Sequence, residues 1–285
     1  MHAHPDDETI DNGATIARYA ADGAHVTLVT CTLGDEGDIL VPELVHLGAA
    51  HADRLAEHRE MELKAAASAL GVSDHRILGG PGRYRDSGMM GSESNRHPDC
   101  FWKADVDEAA GHLVEIIRQV RPQVIVTYNP HGGYGHPDHI QAHRVAMRAA
   151  ELAAASESLA GSGQAPHTVA KNYWNCLPRT AARASIEALR AAGTGATPFA
   201  EPASEDELNA VDDSYPTCVI DASDHLAAKT EALRAHATQL AVSGRFFALS
   251  NGVGRLISGI EHYRLASAGA DLVETSPEGD LFTGI

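Results

Sequence analysis

Two short segments concentrate the residue types that do chemistry. The chain opens Met1-His2-Ala3-His4-Pro5-Asp6-Asp7-Glu8 and much later reads Gly132-Gly133-Tyr134-Gly135-His136-Pro137-Asp138-His139. His4, Asp7 and His139 can supply two imidazole nitrogens and one carboxylate oxygen. Three ligands of this kind leave a position open for water, as in catalytic zinc sites, and the same donors suit ferrous iron. Asp6 is then spare, and a carboxylate beside a metal-bound water is placed to take its proton. The segments predict metal-assisted hydrolysis. A protonated His136 would stabilise an oxyanion or protonate a leaving amine, with Asp138 holding its ring and raising its pKa. Asp6, His136 and Asp138 also suit the caps of the helices that follow them.

These residues need strands and helices to bring them together. His25–Cys31, His75–Leu78 and Val124–Tyr128 read as buried strands, the first and last rich in β-branched residues. Between them, Gly13–Ala21, Ala50–Leu70 and Asp105–Val120 read as helices, and a further helix starts at Pro137 and runs to about Ala155. Strands alternating with helices predict an α/β fold, a Rossmann-like, mostly parallel sheet flanked by helices. Ligands of such sheets sit at the carboxyl ends of strands, where the second segment falls. Residues 1–155 are expected to form the metal-binding core. Ser156–Gln164 reads as a flexible connector. Beyond it, Tyr173–Leu177, Cys218–Ile220 and His262–Leu265 suit strands, while Thr180–Ala192 and His225–Ala237 suit helices. Residues 156–285 hold too few elements for a core of their own, so they are expected to complete the same domain and cover the site.

Composition narrows the partners. The formal net charge is −17 over 285 residues, with no basic stripe, which argues against nucleic acid and anionic membranes. No apolar run approaches the roughly 20 residues of a membrane span, and no secretory leader is visible. Cys31, Cys100, Cys176 and Cys218 form no CxxC pair and read as reduced thiols of a cytoplasmic protein. Gly79-Gly80-Pro81-Gly82 is not followed by the Lys-Ser/Thr of a phosphate-binding loop.

The first segment lacks a strand to carry it, since only three residues precede His4. A doubly wound sheet short of a central strand would have unpaired backbone groups and an open slot in its core. The expectation is that an apolar stretch of about six residues lies upstream.

Ala3-His4-Pro5-Asp6-Asp7-Glu8 together with His136-Pro137-Asp138-His139 resembles the LmbE-like, or PIG-L-like, family of zinc-dependent N-deacetylases. The likeness runs from residue 2 to about 151 and continues more weakly, with His236-Ala237-Thr238-Gln239 a further matching piece. It implies one divalent metal per chain, most simply Zn²⁺, with Asp7 as ligand and Asp6 as base. It also implies that the Tyr134 hydroxyl polarises the acetyl carbonyl. Arg59 and Asp86 match family positions that contact the substrate. Asp11, where the family deacetylase has Ser, joins them at the substrate rim. Asn12–Ala17, Thr30–Gly34, Gly82–Gly88 and Gly132–His136 are similar to the branch that deacetylates N-acetylglucosaminyl-inositol in mycothiol biosynthesis. The alternative branch, a mycothiol S-conjugate amidase, carries a Lys just after the first motif, where this chain has Thr9-Ile10-Asp11-Asn12. The partner so implied is a small amidosugar-inositol; the sequence also allows a homo-oligomer.

Overall fold

The computed structural model describes residues 1–155, 164–193, 195, 197–268 and 277–285. Residues 156–163 of the expected connector lie outside these. β1 (Thr27–Thr30) pairs in parallel with β2 (Asp74–Ile77), and β3 (Val124–Thr127) pairs in parallel with β4 (Lys171–Cys176). Helices cover both faces: α1 (Asp7–Ala21), α2 (Leu55–Ala69), α3 (Val106–Val120) and α5 (Pro137–Ala154), with a single turn, α4 (Gly132–Gly135), between β3 and α5. α3 starts where Asp105 accepts from the Glu108 N–H at 2.9 Å, an N-cap. Pro137 occupies the first turn of α5, where its missing N–H costs nothing. α2 begins five residues later than the pattern suggests, because Asp53 turns the chain through a left-handed conformation (φ 51°) just before it.

The core has two faces. Leu113, Val114 and Ile117 of α3 pack with Ala142, Val145 and Ala146 of α5 over Val29, Leu78 and Tyr128. On the other side Ala17 of α1, Leu63 and Ala66 of α2 and Leu70 just past its end meet Ala232 of α7 (Leu226–Ala235). The C-terminal part extends the sheet rather than standing apart. β9 (Ile260–Ala268) runs antiparallel between β4 and β5 (Cys218–Asp221), giving the order β3-β4-β9-β5. α6 (Arg179–Ala192) follows β4. A small antiparallel sheet of β6 (Ala241–Ser243), β7 (Phe246–Ala248) and β8 (Arg255–Leu256) was not expected from the pattern.

Residues 1–3 run between β1 and β3. The His2 N–H donates to the Val29 carbonyl and the Cys31 N–H to the His2 carbonyl, both at 2.9 Å, and the terminal amine donates to the Val126 carbonyl at 2.8 Å. Beside them lies a cavity of about 180 Å³ lined by Val26, Leu28, Val124, Val126, Leu113 and Ile117. Among the described residues no helix is long and apolar enough to cross a membrane. All four cysteines are free thiols.

Candidate active site

The site lies at the carboxyl ends of the strands, as this fold class requires. Residues 4–7 follow the bridge to β1, Gly34 leaves β1, Asp86 follows β2, Tyr134 to His139 follow β3, and Asn175 ends β4. Of these, His4, Asp6, Asp7, Asp86, Tyr134, His136, His139 and Asn175 wall a cleft of about 790 Å³. Gly132 shapes the second segment: its φ is +65°, and a Cβ there would lie 2.7 Å from the Ile140 nitrogen and 2.8 Å from the His139 Cβ. Only glycine lets this loop pass His139.

His4, Asp7 and His139 converge. Asp7 Oδ2 is 3.3 Å from His4 Nδ1 and 3.4 Å from His139 Nε2. His139 Nε2 is buried without a hydrogen-bond partner, as a nitrogen reserved for a metal would be. The other nitrogen of His4, Nε2, faces Asp138 Oδ2 at 3.2 Å and Asp86 Oδ1 at 3.5 Å. Metal-ligating imidazoles usually donate their second N–H to such a carboxylate. His139 stacks on the Tyr128 ring at 4.2 Å, and the Tyr128 hydroxyl donates to Asp7 Oδ2 at 2.7 Å. Burial alone would raise the Asp7 pKa, but His139 and His4 beside it hold it well below the usual carboxylate range. Among the described residues, the sets of donors whose ligand atoms all lie within 4.8 Å of one another are His4 with His136 and His139, and His4 with Asp86 and Asp138, neither of which includes Asp7. The donors can therefore hold a metal ion.

Asp6 stands beside this cluster in a backbone conformation that side chains rarely adopt, φ 118°. Its side chain makes no helix cap. Burial raises its pKa to about 7, against the pull of Arg59. Arg59 is itself buried, its guanidinium donating to the Pro5 and Gly34 carbonyls and to Asp6 Oδ2 at 3.2 Å. A Cβ at Gly34 would sit 1.9 Å from Arg59 Nη1, so this approach needs glycine.

The expected partnership of His136 with Asp138 takes a different form. The Asp138 carboxylate is bonded to His4 and to the Ser87 N–H and hydroxyl. His136 Nδ1 instead accepts from the Asp138 backbone N–H at 3.1 Å and caps α5. Burial, with the like charges of His4 and His139, lowers the His136 pKa to about 2. Asp138 therefore holds that ring through its backbone N–H, while its carboxylate is engaged by His4 and Ser87. With Nδ1 accepting, the His136 proton sits on Nε2. Tyr134 is 46% exposed, yet burial raises its pKa: it is open to the cleft while ringed by protein.

Asp86 is buried, with its carboxylate facing His4 and accepting from Gly88 N. Asp11 lines the cleft one turn beyond Asp7, accepts from Asn175 Nδ2 at 2.6 Å, and is raised to about 6 by burial and then by Asp7. Asn175, Arg255 and a buried Glu8–His236 pair were not among the expected residues. Glu8 stands directly after Asp7, and His236 opens the matching His-Ala-Thr-Gln piece, so this pair carried a signal. Asn175 and Arg255 lie in ordinary strand sequence and carried none.

Residues 1–150 match the family described as PIG-L, GlcNAc-PI de-N-acetylase. The chain is 63% identical to a 1D-myo-inositol 2-acetamido-2-deoxy-alpha-D-glucopyranoside deacetylase 2 of Catenulispora acidiphila, over 100% of this chain and 96% of the relative. It is 58% identical to the deacetylase of the same substrate from Streptomyces griseus, over 100% and 88%. Among solved structures it resembles an N,N'-diacetylchitobiose deacetylase from Pyrococcus horikoshii (TM-score 0.56, 20% identity, 83% of this chain and 68% of the other). It also resembles GalB, a 4-carboxy-2-hydroxymuconate hydratase from Pseudomonas putida (TM-score 0.59, 17% identity, 96% and 97%). Likeness at these identities shows the fold alone, and one fold hosts several reactions.

Proposed function

Since the chain belongs to the PIG-L family, we propose that it is a metal-dependent deacetylase that hydrolyses the N-acetyl group of N-acetylglucosaminyl-inositol, releasing acetate and glucosaminyl-inositol. The reaction class is carried by the convergence of His4, Asp7 and His139 beside the raised carboxyl of Asp6. The substrate is suggested by relatives of that name at 53–63% identity across the whole chain. Residues 156–285 complete the same domain.

His4 Nδ1, Asp7 Oδ2 and His139 Nε2 would hold the ion, and two nitrogens with one oxygen suit zinc. Such an ion supplies Lewis acidity and lowers the pKa of water. The remaining steps belong to the protein. Asp6 takes the proton of the attacking water, and a pKa near the working pH suits a base. The Tyr134 hydroxyl and the His136 Nε2–H donate to the oxygen of the acetyl group as its charge develops. A neutral His136 is a hydrogen-bond donor rather than a proton source. Asp6, carrying the proton taken from water, therefore hands it to the departing amine as the C–N bond breaks. Asp86 and Asp138 orient the His4 ring.

The test is turnover of N-acetylglucosaminyl-inositol beside a mycothiol S-conjugate, on one metal-replete preparation and a chelated control. Chelator-sensitive release of acetate that exceeds amidase turnover is the expected result. Greater amidase turnover, or deacetylation that survives removal of the metal, overturns the reading.

A further inference from the structure

Tyr128 takes no part in the chemistry proposed above, yet it touches both segments that carry the metal donors. It follows the last residue of β3, Thr127, and is fully buried. Its hydroxyl accepts from the Ala3 N–H at 2.8 Å and lies 2.7 Å from Asp7 Oδ2. The sense of the second bond follows from the chemistry of its partner. An ionised carboxylate only accepts, so the single hydroxyl proton points at Asp7. The Tyr128 ring lies on the His139 ring, with 4.2 Å between centroids and planes 19° from parallel, and the His2 ring meets it edge-on at 5.5 Å. Its carbonyl accepts from His143 Nδ1 of α5 at 2.9 Å. Hydroxyl, ring and backbone are thus all fixed.

We infer that Tyr128 is a positioning residue that sets the spacing of Asp7 and His139 independently of the ion they would hold. Tyr128 belongs to neither motif, and its role rests on the metal-dependent reading. His4 and Asp7 share one segment, and the bond from the His4 N–H to Asp7 Oδ2 (2.9 Å) moves with it. His139 lies on α5. Asp7 Oδ2 and His139 Nε2, 3.4 Å apart, therefore depend on a tie between the segments. Tyr128 supplies one, with its hydroxyl on the first donor and its ring on the second. It also holds the residue before His4. The Ala3 N–H goes to Tyr128, while the Ala3 carbonyl accepts from the Thr32 N–H, just past β1, at 2.9 Å. Without the hydroxyl, the Asp7 carboxylate could turn about its side-chain bonds, and the ion would have to order it. Such ordering lowers affinity, and losing an outer partner of a metal ligand typically weakens binding about 10–100-fold.

The test is Tyr128→Phe, which keeps the ring and removes the hydroxyl. Zn²⁺ affinity is measured on metal-stripped protein by competition with a chromophoric chelator. The expected result is a Kd about 10–100-fold above that of wild type. The variant also leaves the Ala3 N–H unpaired, so its metal-stripped form should melt at a lower temperature. A merely structural role ends there, and a lowered melt with an unchanged Kd overturns the assignment. A second measurement needs no variant. With tyrosine Cζ isotope-labelled for NMR, metal-stripped wild type in mixed light and heavy water should give two resolved Tyr128 signals, because a held hydroxyl exchanges slowly. One averaged signal would mean that the hydroxyl is free until the ion binds, and would also overturn the assignment. Wild type that binds no Zn²⁺ fails the metal-dependent reading and the role of Tyr128 with it. Equally tight binding by wild type and variant fails Tyr128 alone.

Discussion

Asp6 is held where a carboxylate would not settle by itself. Its left-handed backbone costs on the order of 1–3 kcal/mol, and three contacts oppose that cost. Its N–H donates to Glu8 Oε2 at 3.0 Å, its carbonyl accepts from Thr9 and Ile10 at 2.9 Å, and Arg59 grips both its side chain and the Pro5 carbonyl. The strain turns the carboxylate of Asp6 toward the cleft while the next residue turns Asp7 toward the histidines. Asp6→Asn should therefore keep the metal, measured by bound-ion stoichiometry, and lose about 10²–10⁴-fold in kcat. A variant with near-native turnover would remove Asp6 from the mechanism. The wild-type pH profile should carry the same signature. The base must be ionised, so kcat/KM should rise with pH through about 7 and then level. Arg59→Met removes the cation that lowers this pKa, so that limb should move to higher pH; an unmoved limb would leave Arg59 with no part in tuning the base.

At the scale of elements, a buried ion pair fastens the start of α1 to the end of α7. His236 Nε2 lies 2.7 Å from Glu8 Oε1, and neither side chain reaches solvent. Burial opposes the charge on Glu8, yet His236 and its hydrogen bonds lower its pKa from 4.5 to about 2. His236 is raised above its ordinary 6.5, with Glu8 outweighing burial. A depressed carboxyl stabilises the fold above its unfolded pKa and loses that contribution as pH falls. Urea-unfolding stability should drop by about 3 kcal/mol between pH 4.5 and 2 through Glu8. A raised imidazole works oppositely: its contribution is complete below 6.5 and fades as pH climbs through the folded value. The pair is thus most useful between about 4.5 and 6.5, and Glu8→Gln should flatten both flanks. A wild-type-like profile in that variant would refute the linkage. Sequence periodicity found α3 and α5, because each has an apolar face and a start signal, Asp105 or Pro137, but it found α1 only from Gly13, six residues after the helix starts at Asp7. It did not find β6, β7 and β8, whose runs of two or three residues are too short to show a period. The two-residue turn Gly244-Arg245 between β6 and β7 was their local sign, since Gly-X turns favour hairpins. That His4, Asp7 and His139 come together was legible because they sit inside two motifs. Arg255 was not, because only tertiary packing brings β8 to the cleft.

For the whole molecule, the question is whether the C-terminal part could come away from the N-terminal core. The chain's last described segment argues that it could not. Glu278 exchanges backbone hydrogen bonds with Thr217 and Val219 alongside β5, and its buried carboxylate takes Lys171 Nζ of β4 at 2.7 Å and the Tyr173 hydroxyl. Two residues on, Asp280 accepts from the Tyr19 hydroxyl of α1 at 2.8 Å, and that hydroxyl in turn accepts from the Leu281 N–H. The tail therefore ties β4, β5 and α1 together, and β4 pairs directly with β3 of the core. Removing one partner of a buried ion pair strands the other charge and typically costs about 3–5 kcal/mol. Glu278→Leu should lose that much, and Lys171→Met added to it should recover most of the loss, because no uncompensated charge remains. If residues 156–285 complete the domain, Glu278→Leu should unfold in a single denaturant transition, seen alike by far-ultraviolet circular dichroism and by loss of bound metal. A first transition that left the metal in place would separate the two parts, and the C-terminal portion would then be a lid on an independent core.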